Sequence, residues 1–522
     1  MSKYYAEDYD VIVIGAALSG LAATLTLLSK NKKVLVLEQH NLPGGVATSF
    51  VRGGVEIEAS LHEMMSIGDE RYPLKIRKFL EENDVFVDWM RVPIAYRFVS
   101  PTVNQVIHAG IDGTFDIPAK DIANACNDTD GTIYNKLMEL FKVCLNVYNA
   151  VNIVSVTPMS KIQMLKKFPD LVRTAGYSTK EVFDKFALPK DAIDILSAYW
   201  IYVGSPISEL PFTIYAFLLA DYMGYGSYIP RGTSHEMSLK MAEKCMEKGA
   251  QVEFGVRVDK ILVKDGKVCG VRTANGDEIK ADYVISGAYP NKVYSQMIEP
   301  STEVPQNAIK FVNSKDLGVT SFSVVLLLDK SPEELNIHDY STFYSVNDFD
   351  LDKIWEEGKN CGGWTYITSI CSNIAHPDIT PKGTTLYSIT YLPKSDAFKD
   401  INPENYDDVK HKIALEFIEM ESKRLGVDLK KHIKEIVIET PVTISHYTGA
   451  WQGSIYGYRH TMDDHIIARL GMSHDEHYIS GLAFAGAHQI SGDGMGPAIT
   501  NGRKGAKDIL DEMKRREQNE GK

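Results

Sequence analysis

A strand–turn–helix–strand pattern near the start of the chain constrains the fold more than any other feature. Residues 9–14 are a β-branched apolar run, residues 15–20 form a glycine-bearing turn, and residues 21–28 continue as an apolar helical stretch. A second apolar run, residues 34–37, ends at Glu38. This order is the one that a dinucleotide-binding βαβ unit requires. The sequence therefore predicts a nucleotide site in this segment.

Each part of the pattern has a physical role in holding a pyrophosphate. Gly15 allows the tight turn, Gly20 lets the helix pack closely on the strand, and Glu38 can accept hydrogen bonds from a ribose diol. The start of the helix offers free N–H groups and the positive end of its dipole. Ala17 replaces the middle glycine of the fingerprint, so the pyrophosphate is expected to lie slightly further out. The predicted contacts of the turn are Gly15, Ala17, Leu18, Ser19 and Gly20.

A membrane span is the alternative interpretation of residues 11–29, which carry no charge and are nearly long enough to cross a bilayer. The glycines at the turn positions favour a strand that turns into a helix. The acids Glu7, Asp8 and Asp10 are the wrong charge for the start of a signal peptide. No other stretch stands out as long enough to span, so we expect a cytoplasmic protein.

Length, charge and metal-ligand content exclude several classes of protein. With 522 residues, the chain is long enough for two or three domains. The net charge of −13 argues against nucleic acid as a partner and against simple electrostatic docking on an anionic membrane. The six cysteines form no CxxC pair, and the 14 histidines form no HExxH motif. We therefore predict neither a disulfide scaffold nor a metal site.

The remainder of the chain alternates helical and strand patterns. Residues 119–230 are predicted to be mainly helical, and residues 199–228 are dense in aromatic side chains. An aromatic stripe of this kind is more often plain core, with the lining of a long apolar tunnel as the alternative. A strongly apolar strand at residues 321–329 begins another domain. Residues 478–514 form a second strand, glycine-rich loop and helix, which suits close approach to a flat ring or a ribityl chain.

Taken together, these segments resemble the phytoene desaturase, carotenoid isomerase and retinol saturase branch of the FAD-dependent amine-oxidase-like flavoproteins. The resemblance covers nearly the whole chain and depends on the order of its motifs. The matching segments are Gly15 to Gly20 with Glu38, Gly44-Gly45, Tyr96-Arg97 before a DG turn, Pro230-Arg231-Gly232-Thr233, Val258, Thr440-Pro441-Val442-Thr443, Tyr447 to Gly457, and Gly481 to Gly496.

The resemblance implies an α/β protein with FAD as its cofactor. Its Rossmann-like FAD-binding domain, of the amine-oxidase type, is expected to comprise residues 1–100, 228–300 and 470–522. A mixed α+β substrate domain with a helical lid is expected from residues 101–227 and 301–469. Beyond the first turn and Glu38, the implied cofactor contacts are Gly44, Gly45, Val46, Val258, Ala288, Gly486, Asp493, Met495 and Gly496.

Departures from the family pattern affect the reaction more than the fold. Val46 stands where a basic residue often follows the paired glycines, and Ala17 replaces a glycine. Residues 58–62, Glu-Ala-Ser-Leu-His, stand where many relatives have an FDxGxH/T run. Asp493 lies in the loop expected at the flavin, where an acid would hydrogen-bond the ribityl chain.

Candidates for proton transfer lie in the loops that the resemblance places at the flavin. They are His62, Glu63, Glu58, Arg231 and His488. A structural hydrogen bond is an equal alternative for His62, and a solvated or helix-capping role is the favoured alternative for Glu63. Arg231 is better suited to contact a phosphate or a substrate carboxylate than to act as an acid.

The implied activity is desaturation, saturation or flavin-assisted isomerisation of carbon–carbon double bonds. The substrate would be a long apolar lipid, such as a carotenoid, a retinoid-like isoprenoid or an unsaturated fatty acid. A flavin amine oxidase and a non-catalytic lipid-binding flavoprotein stay open as alternatives. No second GxGxxG unit for a nicotinamide is found, so the electron partner is open. Residues 143–171 mix apolar residues with Lys161, Lys166 and Lys167, which is compatible with an interfacial helix and a peripheral membrane contact.

Overall fold

A parallel sheet near the N-terminus is assembled from three separated parts of the chain. The computed structural model describes residues 8–155, 157, 159–464, 478–486, 488, 489, 492 and 494–520. All neighbouring strands of this five-stranded sheet are parallel. In spatial order they are Leu482–Phe484, Val284–Ser286, Val11–Ile14, Val34–Glu38 and Gln251–Phe254.

Both faces of this sheet are covered, as its apolar strands require. Helices Leu18–Leu28, Thr233–Glu247 and Met495–Glu520 pack into one apolar core with Val11 and Val13. Alternate strand residues point to the opposite face, where they pack on a four-stranded sheet. A parallel sheet covered in this way confirms the predicted α/β, Rossmann-like fold.

The four-stranded sheet contains a β-hairpin that turns at residues 264–267. Strand Val258–Lys264 pairs antiparallel with Lys267–Thr273. Its strands follow the order Glu278–Lys280, Lys267–Thr273, Val258–Lys264 and Ile298–Glu299.

A seven-stranded mixed sheet organises much of the rest of the chain. The predicted strand at residues 321–329 is its Phe322–Leu328, which is buried along its whole length. Strand Tyr96–Val99 joins this sheet through Ser341–Ser345, although residues 96–99 were assigned to the FAD-binding domain on sequence grounds. The order is Ile433–Glu439, Phe322–Leu328, Thr385–Tyr391, Tyr366–Cys371, Ser341–Ser345, Tyr96–Val99 and Asn104–Ile107.

Two short antiparallel ribbons of two strands each lie outside the larger sheets. Strand Ser49–Arg52 pairs with Val55–Glu58, and Trp89–Arg91 pairs with Tyr228–Pro230. Ile57 of the first ribbon packs on Val325 and Leu386 of the seven-stranded sheet, so this ribbon lies against that sheet.

Residues 119–230 are mainly helical, as predicted. The remaining α-helices of the described residues are Lys75–Glu82, Asp116–Ala125, Thr132–Val154, Lys161–Lys167, Pro169–Thr174, Thr179–Lys185, Lys190–Ser197, Phe212–Tyr225, Pro290–Lys292, Gln306–Asn313, Leu351–Glu357, Ser372–Ala375, Tyr406–Leu425 and Pro441–Thr448.

The structure confirms the favoured interpretation of residues 11–29 and adds one candidate membrane segment. Residues 11–29 are a sheet strand followed by a helix, which removes the spanning interpretation. Among the described residues, Thr132–Val154 is long and apolar enough to cross a bilayer by length and composition, although the sequence analysis did not single it out. Its apolar side packs against Phe212–Tyr225, as in a core helix.

Candidate active site

A large cavity of about 2040 Å³ is lined by residues of the two larger sheets. The ends of the parallel strands line one part of it, through Gly15 and Glu38. The face of the seven-stranded sheet lines another part, through Ser323 and Val325, and helix Phe212–Tyr225 contributes Phe217. FAD and a long apolar substrate, as the sequence predicts, can therefore share one continuous space.

The first helix meets the cavity with an uncapped N-terminus. Leu18–Leu28 follows Ala17, whose side chain makes no capping hydrogen bond. Gly15 has a positive φ of 98°, and a Cβ built on it would meet no heavy atom within 4 Å. Open space at Gly15 and free N–H groups in the first helical turn are what a pyrophosphate needs.

Gly20 has a packing role and does not line the cavity. A Cβ built on it would lie 2.0 Å from the carbonyl oxygen of Gly15. This close approach is the helix–strand contact predicted for the last glycine of the turn.

The paired glycines lie against the same turn. Gly44 donates its N–H to the carbonyl of Ala16 at 2.9 Å, and Gly44 forms a bridge with Ala17. A Cβ built on Gly45, whose φ is 64°, would come within 3.0 Å of the Ala17 Cβ. The methyl group of Ala17 therefore faces the glycine loop, which is tightly packed against it.

Glu38 stabilises the turn through hydrogen bonds to backbone N–H groups. Its two carboxylate oxygens accept hydrogen bonds of 2.7 Å from the backbone N–H groups of Ala16 and His40. The side chain is buried and lines the cavity. A role for Glu38 at a ribose stays a prediction, whereas its role in fixing the turn is seen directly.

Most of the predicted cofactor contacts converge on the cavity. Asp493 lies outside the described residues. The cavity-lining members of the predicted set are Gly15, Ala17, Leu18, Ser19, Glu38, Gly44, Gly45, Val46, Val258, Ala288, Gly486, Met495 and Gly496. This uncapped helix start, with Gly15, Gly44 and Gly45 beside it, fits a dinucleotide cofactor.

Glu63 is a buried carboxyl in the cavity wall. The hydroxyl of Tyr202 donates to its Oε1 at 3.0 Å, and the hydroxyl of Ser227 donates to its Oε2 at 2.8 Å. Burial raises the pKa of Glu63 to about 7, against the lowering effect of these two hydrogen bonds. The solvated or helix-capping role favoured on sequence grounds is wrong, because the side chain is buried and begins no helix.

His62 lines the cavity next to Glu63. Its ring meets the edge of the Tyr202 ring at a centroid distance of 6.1 Å, and its backbone carbonyl accepts a hydrogen bond from the hydroxyl of Tyr340. Burial lowers the pKa of His62 to about 4, so the imidazole is neutral at pH 7. His62 and Glu63 thus bring two proton-exchanging groups to one wall.

Glu58 also lines the cavity, but its carboxylate is already engaged. It accepts hydrogen bonds from the N–H and the hydroxyl of Ser234 at 2.7 and 2.6 Å. Weaker contacts of 3.4 and 3.3 Å come from the N–H groups of Ser60 and Leu61. Glu58 therefore anchors the loop to the start of helix Thr233–Glu247.

The structure places Arg231 and His488 away from the cavity lining. The Arg231 side chain is 53% exposed and pairs with Asp88 at 2.6 Å. His488 is buried among the rings of Tyr289 and Phe484, each at 5.7 Å. Burial lowers the pKa of His488 to about 3. Neither side chain lines the cavity, which argues against the catalytic roles predicted for Arg231 and His488.

The aromatic stripe of residues 199–228 serves both predicted purposes. Tyr199 and Trp200 are fully buried core residues. Tyr202, Phe217 and Tyr222 line the cavity instead. The rings of Tyr202 and Tyr222 contact each other, with centroids 5.4 Å apart.

Two features of this site go beyond the sequence prediction: the hydrogen-bond partners of Glu63, and Glu439. Tyr202 lies in the aromatic stripe, but no local pattern links it or Ser227 to Glu63, from which they are 139 and 164 residues away. Glu439 ends strand Ile433–Glu439 and lines the cavity. Its signal was a carboxylate at the end of a strand, directly before the Thr440-Pro441 motif.

The sequence matches that of a known family over residues 18–510, and this family is described as flavin containing amine oxidoreductase. The all-trans-retinol 13,14-reductase of Rattus norvegicus is 26% identical to this chain over an alignment that covers 67% of it. That match spans 58% of the relative's own length, which is less than two thirds. Prolycopene isomerase 2, chloroplastic, of an Oncidium hybrid cultivar is 23% identical, covering 94% of this chain and 82% of the relative.

Solved structures show the same fold. Wild-type putrescine oxidase bound to putrescine superposes with a TM-score of 0.62 at 13% identity, covering 97% of this chain and 99% of the other. The two relatives confirm the predicted resemblance to the carotenoid isomerase and retinol saturase branch. The family description confirms the predicted flavin cofactor, FAD. Because the match covers residues 18–510 of a chain of 522 residues, this chain belongs to the flavin-containing amine oxidoreductase family.

Proposed function

We propose that this protein is an FAD-dependent enzyme that acts on carbon–carbon double bonds of a long apolar lipid, either a polyene or an unsaturated fatty acid. The observation that carries the proposal is the continuous cavity of about 2040 Å³. This cavity extends from the turn at the start of the first helix, where a dinucleotide would bind, into an apolar region. Glu63 lies in the cavity wall. The names of the two relatives, a retinol reductase and a prolycopene isomerase, support the same substrate class.

The wall of the cavity would hold the substrate by apolar contact. Phe217 and Leu218 from one helix, and Val325 and Leu386 from the sheet, contribute side chains to the lining. Such surfaces exclude water and favour an extended hydrocarbon chain. Bound FAD supplies a group that accepts or donates a hydride.

Glu63 would hold or deliver the proton that a double-bond reaction requires. Because its pKa is about 7, both protonation states are populated near neutral pH. Tyr202 and Ser227 hold one oxygen each, which fixes the orientation of the carboxyl. The neutral imidazole of His62 lies on the same wall and can exchange a proton as well.

Desaturation, saturation and isomerisation differ in their need for a partner. A net oxidation or reduction requires an outside electron acceptor or donor, such as a quinone, oxygen or a soluble reductant. An isomerisation requires none. The sequence offers no second GxGxxG unit for a nicotinamide. This observation favours isomerisation or an electron partner of another kind.

Amine oxidation is the competing function within the family. An amine cage needs two aromatic rings that face each other across a gap. Within the aromatic stripe, Tyr202 and Tyr222 are in mutual contact, and the hydroxyl of Tyr202 donates a hydrogen bond to Glu63. This pair therefore does not form such a cage.

Product analysis tests the proposal directly. The purified FAD-loaded protein is incubated with a cis-polyene, an unsaturated fatty acid or putrescine under three conditions: without oxygen, without oxygen but with dithionite as electron donor, and in air, where oxygen can accept electrons. We expect a polyene or fatty acid to change its double bonds and putrescine to be unchanged. Oxidation of putrescine with unchanged lipids would assign amine oxidation, and lipid retained without any turnover would assign a carrier.

We further propose that this protein is cytoplasmic and contacts a membrane through helix Lys161–Lys167. Ile162 and Leu165 on this helix are 68% and 55% exposed. Met164 of the same helix is buried and lines the cavity, together with Met159. The exposed apolar pair therefore lies close to the cavity, with Lys166 and Lys167 in the last helical turn. Apolar and basic side chains together suit a lipid surface.

A further inference from the structure

A row of polar side chains crosses the seven-stranded sheet where that sheet lines the cavity. Ser323 is paired in register with Thr390 on one neighbouring strand and with Glu439 on the other. Residues paired in register present their side chains on the same face of a sheet. All three line the cavity.

The two hydroxyls of this row are connected to each other. The Oγ of Ser323 and the Oγ1 of Thr390 lie 2.7 Å apart, and the Oγ of Ser321 lies 3.2 Å from that of Ser323. Both Ser323 and Thr390 are buried. Hydroxyl groups in contact with one another keep a further donor or acceptor position for a ligand.

Glu439 ends the row without a partner. Its carboxyl forms no hydrogen bond or ion pair with any residue that the structure describes. Burial, and to a lesser extent the neighbouring carboxylate of Glu58, raises the pKa of Glu439 to about 8. The carboxyl is therefore mainly protonated at neutral pH, so that it presents one O–H donor and one carbonyl acceptor.

The surroundings of the row are apolar. Next to Ser323 on its own strand lies Val325, and next to Glu439 lies Val437, both with side chains on the same face. For the half-buried carboxyl of Glu439, the lack of a hydrogen bond to the described residues is destabilising. A ligand that provides this hydrogen bond recovers that loss, whereas a pure hydrocarbon leaves it in place.

We propose that Glu439, Ser323 and Thr390 form a subsite that hydrogen-bonds a hydroxyl group carried by the otherwise apolar substrate. This inference rests on the proposed function and specifies its substrate class as lipid alcohols. A hydroxyl both donates and accepts, which matches a protonated carboxyl next to two hydroxyls. A substrate carboxylate would be repelled by Glu58.

Binding of matched ligands tests the subsite. The ligands are a conjugated polyene alcohol, its methyl ether, the parent hydrocarbon and the corresponding primary amine. They are titrated into the FAD-loaded protein, and affinity is measured by quenching of tryptophan fluorescence. The variants are Glu439→Leu, which removes the hydrogen bond, and Glu439→Gln, which keeps a neutral donor and acceptor. Glu435→Leu is the matched control, since Glu435 lies on the same strand and face but is exposed and outside the cavity.

We expect wild type to bind the alcohol roughly tenfold more tightly than the ether or the hydrocarbon. Glu439→Leu should abolish this preference without changing hydrocarbon affinity, while Glu439→Gln and Glu435→Leu should keep it. Equal affinities for alcohol and hydrocarbon in wild type, or a preference that survives Glu439→Leu, would overturn the subsite and leave the proposed function intact. Preferential binding of the amine would also overturn it, by showing an ionised Glu439. Failure of every polyene to bind would contradict the proposed function together with the subsite.

Discussion

The hydroxyl of Tyr202 donates a hydrogen bond of 3.0 Å to Oε1 of Glu63, although 139 residues separate the two along the chain. Ser227 occupies the other carboxyl oxygen at 2.8 Å. Burial raises the pKa of Glu63 more strongly than these hydrogen bonds lower it, which leaves the pKa at about 7. The result is a fixed carboxyl in the cavity wall that changes charge close to neutral pH.

This raised pKa makes the stability of the protein depend on pH. An acid with a pKa of about 7 when folded and about 4.5 when unfolded keeps its proton longer in the folded state. Stability therefore falls as pH rises from 4.5 to 7 and levels off above 7. Glu63→Gln removes this fall. Between pH 4.5 and 7, the free energy of unfolding of the variant, measured by thermal unfolding, should therefore rise relative to that of wild type by up to roughly 3 kcal/mol. Parallel pH dependence of wild type and variant would contradict the shift, and Glu435→Gln on the surface is the control.

His62 offers a second test of the same wall. His62→Ala should retain FAD but slow double-bond turnover by more than about tenfold, because general acid–base groups contribute ~10²-fold or more. FAD content is read from the visible spectrum, and turnover from product formation. His108→Ala is the matched control, because that histidine is exposed and pairs with Asp121. Unchanged turnover in His62→Ala would assign His62 to structure.

The glycine loop predicts a difference between two alanine substitutions. Gly45→Ala puts a Cβ within 3.0 Å of Ala17 at a φ of 64°, so FAD affinity should fall roughly tenfold or more. Gly54→Ala introduces similar backbone strain at a φ of 77° but meets no atom within 4 Å, so affinity should be unchanged. Ala17→Gly should alter affinity by less than about threefold, because its methyl group faces Gly45. Titration of the apoprotein with FAD measures all three, and equal losses for Gly45→Ala and Gly54→Ala would contradict the assignment of this loop.

Vesicle flotation tests the membrane contact. We expect wild type to float with neutral as well as anionic vesicles, since the net charge of −13 makes apolar insertion the main attraction. The double variant Ile162→Asp and Leu165→Asp should lower the floated fraction roughly tenfold. Leu415→Asp changes a comparably exposed leucine elsewhere and should float like wild type. Failure of wild type to float with either vesicle type would remove the proposal.

The cofactor half of the site was predictable because its information is local. Gly15, Gly20 and Glu38 lie within one short βαβ unit, where spacing along the chain fixes position in space. The structure adds that Glu38 is already held by the N–H groups of Ala16 and His40. The helix also begins at Leu18, earlier than its apolar run suggested, because the turn residues themselves form its first turn.

The substrate half depends on contacts between distant segments, and sequence reasoning was weaker there. Arg231 belongs to a recognisable turn motif, yet it faces solvent and pairs with Asp88. His488 is in the expected loop but packs into an aromatic cluster. Conversely, Glu63 gained its importance from Tyr202 and Ser227, whose positions depend on how a helical segment folds back over residues 62–64. No local periodicity contains that information.

The most direct test of the account is the pH–rate profile of lipid double-bond turnover in FAD-loaded wild type and Glu63→Gln. We expect the wild-type rate to change around pH 7, where Glu63 titrates. The variant should bind FAD normally, turn over more than about tenfold more slowly, and lose that transition. A Glu63→Gln protein with the wild-type rate and the wild-type profile would contradict the central claim that this buried carboxyl handles the proton.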